Sequence, residues 1–106
     1  MREFERRALT PFQHARLQYL KDHYPVEAER MYLEGTLIAY LKDQERAWHK
    51  YEANLRDPWN PNGIGMSLGM TPELQHEDNA RWWQLLEQSA EIAREIAFKE
   101  CVEAPI

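Results

Sequence analysis

The chain has 106 residues, 43% of them hydrophobic and 29% charged, with a net charge of −5. That is enough for one domain with a single modest core, and too apolar for global disorder. A lone cysteine, Cys101, excludes an intramolecular disulfide and a cysteine-ligated zinc site, and no apolar run approaches the ~20 residues of a membrane span.

Only two valines and three threonines are present, so the β-branched residues that favour strands are scarce. Residues 1–106 are therefore expected to form a single all-α domain, a small elongated bundle of three to four helices with a long C-terminal helix. With no apolar segment behind the charges of Met1–Arg7 and no bridging cysteines, the expected compartment is the cytoplasm. Residues 1–56 balance at +1 and residues 57–106 at −6. A nucleic-acid face would belong to the first half, because phosphate is repelled by the second.

Residues 1–10 read as an arm. Thr10-Pro11-Phe12-Gln13 combines a capping threonine, a proline at the first helical position and a glutamine three residues after the cap. It predicts a helix from about Pro11 to His23, with Phe12, Ala15, Tyr19 and Leu20 on its apolar stripe. Tyr24-Pro25 breaks that helix, and Pro25 opens a second one that carries Val26, Met31 and Leu33. Gly35 suits a left-handed C-terminal cap and Thr36 a fresh N-cap, the alternative being one continuous helix bent at Gly35. The next helix runs from Leu37 to about Arg56 on a stripe of Leu37, Tyr40, Leu41, Gln44, Trp48, Tyr51 and Leu55.

Residues 57–71, rich in proline and glycine, are expected to be a loop that works as a flexible linker. Thr71-Pro72 repeats the cap-and-proline start, and one helix is expected over residues 72–102. Its seam is Trp83, Leu86, Ala90, Ala93 and Ala97, at alternating steps of three and four, widened by Ile92 and Ile96 and, on the other side, by Trp82 and Leu85. A helix that long, ~45 Å at 1.5 Å per residue, overhangs a compact chain of this size. A homodimer through it is the corresponding expectation.

No constellation assembles a nucleophile, base and oxyanion site, so no enzyme and no cofactor is expected. Glu73-x-x-His76 has a spacing used in di-iron bundles, but only one such pair is present. Gly63-Ile-Gly65-Met-Ser-Leu-Gly69 lacks the strand before it and the lysine within it that a phosphate loop needs. Cys101, between Glu100 and Glu103, reads as a packing residue with a disfavoured thiolate.

Two binding surfaces remain. Arg2, Arg6, Arg7, Arg16 and Lys21, with Arg30 further on, are either a solvated face or contacts to phosphate. Trp59, Trp82 and Trp83, with the acidic row Glu87, Glu91 and Glu95, are either core and solvated surface or an interface for a basic protein.

Three segments in order resemble the transposon-encoded protein TnpV family. They are Arg16-Leu-Gln-Tyr-Leu-Lys-Asp-His23-Tyr-Pro25, then Gly35-Thr-Leu-Ile-Ala-Tyr-Leu41 followed by Ala47. The third runs from Gly69-Met-Thr71 through Glu73-Leu74 and Trp82 to Ala93-Arg-Glu95-Ile96. Residues 57–68 and Ala80 depart from the family's pattern, which expects a helical connection and a larger apolar residue.

The resemblance implies a small accessory protein of a mobile element, with no enzymatic activity or catalytic residues to carry over. The leading expectation is a regulator that binds another protein, modulating a recombinase or inhibiting a host defence enzyme such as a CRISPR effector. The alternative is an excision-factor-like protein that binds DNA through its basic first half, as a helix-turn-helix with Arg30 on the second helix.

Overall fold

The computed structural model describes residues 9–106, and these contain six helices and no strand. In chain order they are α1 (Pro11–His23), α2 (Pro25–Glu34), α3 (Leu37–Arg56), α4 (Ile64–Ser67), α5 (Pro72–Glu77) and α6 (Asn79–Val102). The all-α expectation holds. The count exceeds three to four because a short helix, α4, forms within the expected loop and the expected helix over 72–102 is divided into α5 and α6. No helix among the described residues is long and apolar enough to cross a membrane.

The first three helices begin and end as their punctuation dictates. Thr10 caps α1 through a full capping box: its hydroxyl accepts from Gln13 N at 3.2 Å, and its own N–H donates to Gln13 Oε1 at 3.2 Å. Gly35 ends α2 at φ 77°, and the Thr36 N–H closes back on Met31 O at 2.9 Å. That left-handed turn is open to glycine and strained for any residue with a Cβ. Thr36 departs from its expected role, since its hydroxyl donates to Met31 O (3.4 Å) and so belongs to the end of α2.

By contacts the described chain falls into two compact units. One takes the chain up to Trp48 together with Glu100–Ile106, and the other is His49–Lys99. In the first, Leu17, Leu37 and Leu41 form a buried cluster, with Met31, Tyr32 and Tyr40 packed on it. Phe12 stacks on Trp48 with ring centroids 4.9 Å apart and planes 2° from parallel. In the second, Met70, Trp82 and Leu85 are the buried cluster, flanked by Leu68, Leu74 and Leu86.

Residues 57–71 are folded, and the linker expectation is corrected. Asn60 Nδ2 donates to Asn54 O (2.8 Å), Asp57 Oδ1 accepts from Trp59 N (3.0 Å), and Asn60 Oδ1 accepts from Asn62 N (3.0 Å). These side chains supply the turns locally. The short helix α4 follows, and Met70, fully buried, ties back through its N–H to Gly65 O at 3.0 Å.

The expected helix over 72–102 is likewise two helices. Asp78, at φ −139° and ψ 81°, ends α5 and starts α6. Its N–H donates to Leu74 O (2.8 Å) and its Oδ1 accepts from Arg81 N (3.0 Å). An aspartate offering such an acceptor competes with continuation of the helix.

Candidate functional site

The second unit carries an open groove of about 430 Å³. Its walls are Ala53, Pro58, Trp83, Leu86 and Ala90, and its charged edges are Arg56, Asp57 and Glu87. The groove exists because α6 buries Trp82, Leu85, Ser89, Ala93 and Ala97. This is a seam rotated by about 100°, one residue, from the expected Trp83-Leu86-Ala90 stripe over its first half. Burial of Ser89 makes that register affordable, because its hydroxyl donates to Leu86 O at 2.8 Å and leaves no orphaned donor. The ability of a serine to bond back along its own helix is the local feature that lets Ser89 sit on the buried face.

Two consequences follow for the tryptophans. Trp82, expected among the interface residues, is 5% exposed and belongs to the core. It holds Trp59 at 6.1 Å and Trp83 edge-on at 5.3 Å between ring centroids. Trp83 and Trp59 keep 54% and 50% of their surface exposed. Trp83 thus stands at the groove as a large, rotationally restricted apolar surface with a polar N–H, the type of side chain that anchors protein interfaces. Glu87, Glu91 and Glu95 are all exposed on the same helix, and Glu87 borders the groove. Ala53, Pro58 and Arg56 were missed as groove residues, since nothing local in the sequence joins them to α6.

Arg2, Arg6 and Arg7 lie outside the described residues. Arg16 is 1% exposed, which corrects its placement among the phosphate contacts. Its Nη1 donates to Val102 O (2.8 Å) and to Ala104 O, and its Nη2 donates to Tyr40 Oη (2.8 Å). The guanidinium carbon also lies 5.6 Å from the Tyr19 ring centroid and 5.9 Å from that of Tyr40. A cation on the last carbonyl of α6 and on Ala104 O just beyond it complements both the unpaired acceptors and the negative end of the helix dipole. No neighbouring sequence signal marks this contact, whose partners are 86 and 88 residues away.

Lys21 is half-buried on α1. Arg30 is exposed on α2, in a shallow depression lined also by Val26, Glu29, Leu33 and Glu34. Those two carboxylates repel a phosphate backbone brought to the same face.

Cys101 has its thiol pKa raised, first by burial and then by the charge of Glu100, with Arg16 opposing. Its thiolate is disfavoured. Among the described residues, no group of three or more His, Cys, Asp or Glu is placed to hold a metal ion.

A family model described as transposon-encoded protein TnpV matches residues 1–102 of the chain. Neither the curated proteins nor the solved structures contain a match.

Proposed function

The chain belongs to the transposon-encoded protein TnpV family and is thereby transposon-associated, and from that premise we propose that it acts by binding another protein, without catalysis, through the groove beside Trp83. The half-exposed indole of Trp83 over an apolar groove carries this reading. A partner inserting an apolar side chain between Trp83, Leu86 and Ala90 would bury that surface and gain the central, desolvated contact that dominates interface energetics. The acidic edge favours a partner with basic residues around its apolar anchor. A recombinase or transposase of the element, or a host defence enzyme, are the partner classes that suit a mobile element's accessory protein.

The rival reading, duplex DNA bound by the first half, draws less support. Arg16 is spent on the chain's own carbonyls, and Arg30 shares its face with Glu29 and Glu34.

The test is photo-crosslinking in cells that carry the element, from a photoreactive residue placed at Asp57 on the groove edge and, for comparison, at Arg30. Crosslinks to a different protein from position 57, lost when Trp83→Ser is added, are the expected result. An Asp57 probe that captures no other protein, or captures it regardless of Trp83→Ser, means that the groove is not the binding site. A parallel anisotropy titration against mixed-sequence duplex DNA is expected to show no binding at low salt. Binding that weakens steeply as salt is raised would transfer the function to DNA.

A further inference from the structure

A second helix carries a row that mirrors the acidic one. On α3, Lys42, Arg46 and Lys50 recur every four residues, all exposed. On α6, Glu87, Glu91 and Glu95 recur every four residues, all exposed. At 1.5 Å per residue each row places a charge every ~6 Å over ~12 Å, so the two have the same pitch. Each row lies on one unbroken helix, and its spacing is fixed by that helix alone.

Among the described residues Lys42, Lys50, Glu87, Glu91 and Glu95 form no ion pair, and Arg46 pairs only with Asp43 on its own helix. Like charges four apart on a helix cost a few tenths of a kcal/mol per pair. An opposite row brought against either helix would relieve that repulsion. Arg94 and Lys99 interrupt the acidic surface without pairing to it, the latter in the last turn of α6, where a cation complements the helix end.

We propose that the acidic row of α6 docks on the basic row of α3 of a second copy of this chain, making the protein self-associate. Every copy carries both rows, so any two copies are complementary. On α6 the surface is offset from the Trp83 groove, since Glu87 and Glu91 follow Leu86 and Ala90 directly and consecutive residues lie about 100° apart round a helix, while on α3 Lys50 lies one turn before the groove wall Ala53. Self-association and binding of another protein thus use adjacent faces of α6, which share Glu87 at their border. Because the paired charges are exposed, the association is salt-sensitive.

The experiment is sedimentation equilibrium of the full chain at low and high salt, for the wild type and two charge-reversed variants. One variant carries Glu87→Lys, Glu91→Lys and Glu95→Lys, and the other Lys42→Glu, Arg46→Glu and Lys50→Glu. The wild type is expected to exceed the monomer mass at low salt and to approach it at high salt. Each variant alone is expected to associate at least about tenfold more weakly, and an equimolar mixture of the two to recover the association.

Glutamate and lysine are comparable helix formers, so the folds should persist, as read by circular dichroism. If a triple variant does not fold, the single pair Glu91→Lys and Arg46→Glu carries the same logic. A wild type that stays monomeric at low salt overturns the proposal, and so does a mixture that fails to recover. Trp83→Ser is expected to leave self-association intact while abolishing the groove crosslinks, so the two readings fail separately. Loss of self-association in Trp83→Ser would move the self-contact to the groove and overturn the row pairing.

Discussion

Arg16 shows how far a single residue's role can lie from its sequence neighbourhood. A guanidinium suits this site because its planar fork reaches Val102 O, Ala104 O and Tyr40 Oη together, which a lysine ammonium at one point does not. Replacing it by Met keeps much of the volume and strands three part-buried partners. The expected cost is about 2–4 kcal/mol in chemical denaturation, with Arg16→Lys recovering less than half. Cys101 makes a second prediction at this scale. Its folded pKa lies above that of the unfolded chain, because of burial and Glu100. The resulting contribution to stability is complete below the unfolded pKa and is lost as pH rises through the folded one. Alkylation by iodoacetamide near neutral pH should accordingly be slower in the native protein than in urea, and equal rates would show that the thiol is not sheltered.

At the scale of elements, the decisive features are ends and registers. Asp78 divides residues 72–102 into α5 and α6, and Asp78→Ala removes its cap on the Arg81 N–H. The expected loss is about 1 kcal/mol, seen as a lower unfolding midpoint at unchanged denaturant slope. Gly63 is required for a different reason. A Cβ there would meet Asp57 O at 3.0 Å and Leu55 O at 3.1 Å, both backbone atoms that cannot swing away. Gly63→Ala should cost about 1–3 kcal/mol. Because Asp57 and Pro58 are groove residues, it should also weaken the groove crosslinks. The register of α6 is not set by local periodicity. Trp82-Leu85-Ser89 and Trp83-Leu86-Ala90 both offer steps of three and four, and only packing against Met70 and its neighbours selects the first.

For the molecule as a whole, Arg16 joins α1 to the last residues of the chain within one unit. Deleting residues 103–106 removes the Ala104 acceptor and should destabilise the protein by about 1–2 kcal/mol. Combined with Arg16→Met, the deletion should cost less than the sum of the two separate losses, because both remove the same contact. Additive losses would show that the segment is held by other means.

The sequence by itself determined the helical class, the bounds of the first three helices and the resemblance to the family. These follow from local rules: Thr10 with Gln13, Tyr24-Pro25 and Gly35 act on backbone groups within a few residues of themselves. Local chemistry also carries Asp78 as a cap and the Asx turns of Asp57 and Asn60, whose side chains act within three residues of themselves. Only the tertiary structure decided that Arg16 is buried, that Trp82 and not Trp83 enters the core, and that Ala53 and Pro58 complete a groove with α6. Those outcomes depend on which surfaces exclude water together. That choice is made by packing between segments far apart in the chain, where helical periodicity carries no information about the partner.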